Sequence, residues 1–188
     1  MNLNLKGMGI EAMKKTLLTG LIILLFSAAA ANLRAKDPSE LPLMEEDAVF
    51  WEELLKETGI RNKNLLYASY VAYRDQLNDL SMESFKECLK QNPGNEMLTG
   101  IILYYMGNNQ YKLGRNRESL ASFNRIFRLK MGKFENIKLA AKINMALAYL
   151  KAGDRTRSRI LLQSVVDSDK SKDSRYRNRA SALLKNIK

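Results

Sequence analysis

Gly107-Asn108-Asn109-Gln110-Tyr111-Lys112-Leu113-Gly114-Arg115, followed by Ser119 and Phe123, decides how this chain is read. Ala146-Leu147-Ala148-Tyr149-Leu150-Lys151-Ala152-Gly153-Asp154, followed by Ser158 and Leu162, aligns with it without a gap. Gly114 and Gly153 lie 39 residues apart, and a fixed period of this size marks a helical solenoid. Outward from these stretches, apolar residues recur at three- and four-residue steps from Leu43 onward, with no sustained alternation. The spacing predicts helices near 43–58, 64–77, 81–91, 100–113, 116–130, 138–151, 155–166 and 175–187. Asp79 and Ser81 read as caps for the third of these, which Asn92-Pro93-Gly94 closes. The fold expected is all-α, built from helix pairs joined by short polar turns.

The repeat resembles the tetratricopeptide family. That family's unit places small residues where its two helices cross, a Gly in the turn between them, and an aromatic in the second helix. The second unit supplies Gly107, Gly114, Ser119 and Phe123. The third supplies Ala146, Tyr149, Gly153 and Ser158, with Leu162 at the aromatic place. The first supplies Ser69, Ala72, Ser81, Phe85, Cys88 and Pro93, but has Gln76 where Gly is usual. The resemblance implies a helical-hairpin solenoid of about three tetratricopeptide-like repeats, at 62–95, 100–133 and 139–171. An acidic segment at 36–61 and a basic one at 172–188 would be its flanking capping helices.

By the same resemblance, the first helix of each unit lines a concave groove for a protein or peptide partner. The groove places fall on Tyr70, Tyr73 and Arg74, then Tyr104, Asn108, Tyr111 and Lys112, then Asn144 and Lys151. Tyrosine offers a broad apolar face with a polar tip and suits a binding surface. The alternative is that these tyrosines pack between neighbouring helices. A dedicated carboxylate clamp, which some members carry, is not expected, because Tyr104 stands where it needs Lys.

Charge is divided between the halves. The 188 residues carry 31 basic and 20 acidic side chains, a formal charge of +11. Residues 36–111 are net −6 and residues 112–188 net +14. Arg115, Arg117, Arg125 and Arg128, Arg155, Arg157 and Arg159, and Arg175, Arg177 and Arg179 form a candidate basic patch. Such asymmetry suggests an electrostatic partner: an acidic protein face, an anionic membrane surface, or a second copy head to tail.

Histidine is absent and Cys88 is the single cysteine. No Ser-His-Asp or Cys-His nucleophile, His-bearing metal site or intramolecular disulfide can therefore be assembled. No catalytic residue, metal or cofactor is expected. Lys14 and Lys15 precede an uncharged run from Leu17 to Ala31, so residues 1–35 read as a signal peptide. An uncleaved inner-membrane anchor is the alternative. Met13, just before the lysines, is a second candidate start. Export to the periplasm or cell envelope places nucleic acid low among partners, and Cys88, among apolar neighbours, is expected to be buried.

Overall fold

The turn expected at Gly114 and Gly153 occurs three times with one geometry. Gln76, Gly114 and Gly153 all adopt left-handed φ values of 63°, 75° and 83°. Before each, the helix ends in the same pair of backbone bonds. Gln76 N–H donates to Tyr73 O and Leu77 N–H to Ala72 O, at 3.1 and 2.9 Å. Gly114 and Arg115 bond Tyr111 O and Gln110 O at 3.0 and 2.8 Å, and Gly153 and Asp154 bond Leu150 O and Tyr149 O at 3.0 and 2.9 Å. This is the Schellman ending, which satisfies two otherwise orphaned carbonyls. Glycine adopts the left-handed conformation freely, whereas Gln76 enters it at about 1 kcal/mol.

These turns belong to a computed structural model that describes residues 48–168 and 174–187. The expected signal segment at 1–35, the acidic run Glu45-Glu46-Asp47 and residues 169–173 lie outside the described residues. Within them the chain is helix and turn, with no strand. The helices are α1 (Ala48–Lys56), α2 (Lys63–Arg74), α3 (Asn78–Gln91), α4 (Glu96–Lys112), α5 (Asn116–Ile126), α6 (Asn136–Lys151), α7 (Arg155–Ser168) and α8 (Arg175–Asn186). A short 3₁₀ turn, Gly132–Phe134, precedes α6. The heaviest packing is within the pairs α2–α3, α4–α5 and α6–α7, and α8 closes on α7. First helices also touch the next first helix, α2 on α4 and α4 on α6, and α6 touches α8.

Two helix starts differ from expectation. Helix α3 begins at Asn78, and its N-cap Leu77 supplies no side-chain cap. Ser81 therefore lies within the helix, and its Oγ donates to Ser69 O at 3.0 Å, pinning α3 to α2. Helix α4 begins at Glu96, four residues before Gly100, because Asn95 caps it by accepting from Leu98 N–H at 2.9 Å.

The small residues have a measurable reason. A Cβ at Gly107 would stand 2.6 Å from Phe123 Cε1, so α4 and α5 cross closely only because position 107 has no side chain. In the third pair the places equivalent to Gly107 and Phe123 hold Ala146 and the smaller Leu162, and both are buried. Gly100 serves the same end for Met131, whose thioether fills the space a methyl would take.

One continuous apolar cluster runs through all the pairs. Its densest part is aromatic. Trp51 of α1 stacks on Tyr70 with ring centroids 4.1 Å apart, and lies 5.6 Å from Tyr105 of α4. Tyr105 meets Tyr73, Phe85 and Tyr104 at 5.1, 5.8 and 5.4 Å. Phe50 packs edge-on against Phe134 at 5.3 Å, and Lys133 pairs with Glu57 at 2.8 Å. Helix α1 thus reaches past α2 to α4 and to the turn before α6.

Candidate functional site

The tyrosines and asparagines of the expected groove divide into interior and surface. Tyr70 is 6% exposed, Tyr73, Tyr104 and Asn108 are fully buried, and Asn144 is 1% exposed. Arg74, Lys112 and Lys151 are exposed, and Tyr111 is half-buried. The open tyrosine-lined groove is corrected at five of its nine places: those side chains pack between helices. The reason is that α4 is apolar around most of its circumference, and such a helix is buried on all sides. The run Ile101-Ile102-Leu103-Tyr104-Tyr105 carried that signal in the sequence.

The interior polar groups join successive pairs. Asn144 Nδ2 on α6 donates to Asn108 Oδ1 at 2.8 Å and to Tyr104 Oη at 3.1 Å, both on α4. Asn109 Nδ2 donates to Ser81 Oγ at 3.2 Å, tying α4 back to α3. Ser119 and Ser158 occupy the places equivalent to Ser81, yet their buried hydroxyls have no hydrogen-bond partner among the described residues. Directional bonds in a low-dielectric interior fix which helix faces which.

The exposed cations of this set fall at equivalent places, and two of them rest on tyrosine rings. Lys112 Nζ lies 4.0 Å from the centre of the Tyr73 ring, and Lys151 Nζ lies 4.7 Å from that of Tyr111. Arg74, Lys112 and Lys151 stand at equivalent places near the ends of α2, α4 and α6. Tyr73 and Tyr111 each precede one of these cations in sequence. The contacts therefore link Arg74, Tyr73, Lys112, Tyr111 and Lys151 as alternating cations and rings. Each lysine is held by the unit before it. Cations here also oppose the negative end of a helix dipole, and the ring faces attract them. Arg74 pairs with neighbouring Asp75 at 3.1 Å. Burial pushes the Tyr111 phenol up from its ordinary value.

The basic patch is exposed at Arg115, Arg117, Arg125, Arg128, Arg155, Arg157, Arg159 and Arg175, and half-buried at Arg177 and Arg179. Several of these have structural partners. Arg157 pairs with Asp154 at 3.3 Å and lies over Tyr149. Arg159 Nη2 donates to Ile187 O at 2.8 Å, fastening α7 to the end of α8. Arg175 lies over the Tyr176 ring.

Cys88 is buried against Ser69 Oγ at 3.7 Å, and desolvation raises its thiol above the ordinary value. That makes it a packing group with little thiolate. Among the described residues there is no cluster of His, Cys, Asp and Glu able to hold a metal. No described helix is long and apolar enough to cross a membrane. No family model matches the chain, and no curated protein matches it.

Proposed function

We propose that this chain is a non-catalytic adaptor of the cell envelope. In this reading it is an array of three tetratricopeptide-like helix pairs that holds a segment of a partner protein along its first helices. Export directed by residues 1–35 belongs to the same proposal. The observation that supports it is an exposed cation at one equivalent place in three successive pairs, Arg74, Lys112 and Lys151, two of them resting on the rings of Tyr73 and Tyr111. A positive place repeated along an array suits a protein segment better than a small reactant, and the chain has no histidine for acid–base work.

The test is photocrosslinking from the exposed position 152 in envelope preparations, with wild type and Lys112→Glu plus Lys151→Glu compared by mass spectrometry. The expected outcome is a discrete protein adduct that disappears from the charge-reversed chain at unchanged melting temperature. Identical adducts from both would overturn the reading. Surface lysines are preferred to Tyr104→Ala, which would empty the interior. Intact mass of the native protein reads out removal of residues 1–35.

A second reading, a membrane-associated organiser docking through the basic half, is supported by the +14 charge of residues 112–188 and their exposed arginines. High salt would then release the protein from membranes. Retention through both salt and carbonate washing points instead to an anchor at Leu17–Ala31.

A further inference from the structure

We propose that α1 is a built-in, displaceable occupant of the first-helix face, and that the partner segment replacing it is an amphipathic helix of the same pattern. This rests on the adaptor reading and names both the partner's chemistry and the device that guards its site.

The position of α1 is the first observation. Phe50, Trp51 and Leu54 share one face of the helix and are buried, whereas Glu52, Glu53 and Lys56 are exposed. Trp51 stacks on Tyr70 of α2 at 4.1 Å and meets Tyr105 of α4 at 5.6 Å. Phe50 packs on Phe134, just before α6, at 5.3 Å. One short helix thus touches α2, α4 and the entry to α6, the places along which the adaptor reading lays a partner segment.

The second observation is how lightly α1 is held. It belongs to none of the closely packed helix pairs, so side chains carry its docking. Its 9 residues are too few for a helix to persist in water without a seat. Trp51 Nε1 is buried with no hydrogen-bond partner among the described residues, which weakens the docked state. The ion pair of Glu57 with Lys133, at 2.8 Å, is partly exposed and adds little.

By contrast, the root of α1 is fastened. Asn92 is buried; its Oδ1 accepts from Arg61 N–H at 2.6 Å and its Nδ2 donates to Arg61 O at 3.2 Å. Asn95 Nδ2 donates to Gly59 O at 3.2 Å. These bonds tie the loop after α1 to the turn between α3 and α4. Helix α1 can therefore lift about the exposed Thr58-Gly59 turn while the helix pairs stay assembled. The bond from Lys63 Nζ to Leu55 O opens with it.

The seat also specifies what fits it. It takes a stacked ring, an edge-on ring and a fully buried leucine, with Lys133 beside them. The matching helix carries two adjacent aromatics, a leucine three residues after the second, and an acid three residues further on. An anionic membrane surface has no such pattern.

The experiment uses the full chain and a fluorescent peptide copying residues 48–58, followed by anisotropy. Phe50→Ala plus Trp51→Ala in the full chain releases its own α1. A strap released a tenth to a hundredth of the time lowers apparent affinity by about that factor. The peptide should therefore bind the variant at least about tenfold more tightly than wild type. A peptide with alanine at both aromatic places should bind neither chain. Hydrogen exchange on the wild-type chain needs no substitution, and it decides alone where the variant does not fold. There α1 amides should exchange faster than those of α2 and α4, and excess peptide should speed α1 further while α2 to α7 stay protected.

Equal peptide affinity for wild type and a folded variant overturns the inference. So does an α1 as protected as α4, or one whose exchange the peptide leaves unchanged. A dimer that grows with protein concentration as α1 slows makes a second copy the occupant, and overturns it too. If these arms fail while crosslinks from position 152 persist, the adaptor reading stands and the strap falls. If the crosslinks vanish as well, both fall.

Discussion

The second and third helix pairs solve one packing problem in two ways. In the second, Gly107 has no side chain and Phe123 fills the space, with ring carbons 2.6–2.9 Å from where a Cβ would stand. In the third, Ala146 brings a methyl and Leu162 is smaller. At the aligned places one residue gains volume where the other loses it, as expected where a crossing is filled to constant density.

The largest effect that tests this is Phe123→Ala, which should cost about 4 kcal/mol in urea unfolding. Gly107→Ala should cost about 2 kcal/mol, since a ring must give way despite alanine's better helix propensity. Adding Phe123→Leu should remove most of that cost, because the double variant reproduces the third pair. Additive single effects in that cycle would break the equivalence.

The serines sharpen the comparison at smaller scale. Ser81 makes two hydrogen bonds, to Ser69 O and from Asn109, while Ser119 and Ser158 make none among the described residues. Ser81→Ala should therefore cost about 1–2 kcal/mol, and Ser158→Ala should be neutral or slightly stabilising. Gln76→Gly should stabilise by about 1 kcal/mol by relieving the left-handed turn, whereas Gly153→Ala should destabilise by a similar amount. Chemical denaturation of the purified chain reads out each of these.

The smallest effect is electrostatic. Hydrogen bonding from Lys138 holds the Glu135 carboxyl below its ordinary value, with help from Met131 N–H. A depressed carboxyl contributes stability above its unfolded pKa and loses it as pH falls through the folded one. Stability should drop slightly in that acid range, by about 0.3 kcal/mol for so exposed a pair. Glu135→Gln should abolish that part of the slope in a pH series of melting curves.

Much of this was legible in the sequence. Gly114 and Gly153 announced their turns, and alignment across them placed Gln76 in a third turn without a glycine. The close approach of Gly107 and Phe123 was legible as a small residue aligned against a large one, and the places aligned with it, 69 and 146 with 85 and 162, are likewise buried. The cations at 74, 112 and 151 were legible as equivalents. Which tyrosines would be open was not. Tyr73 and Tyr111 occupy equivalent places, yet one is fully buried and the other half-buried.

The sequence by itself determined the local rules: helix, turn and the close crossing within each pair. These depend on residues fewer than about 20 apart, so short-range periodicity and glycine chemistry express them. Only the tertiary structure decided what the first helices present. Trp51 stacks on Tyr70 and meets Tyr105, which lies 54 residues along the chain from it. Asn144 crosses 36 residues to reach Asn108. Tyrosine suits an interior and a binding face equally well, because one ring serves both. The choice between them is made by whatever distant segment packs against it, and no local pattern records that.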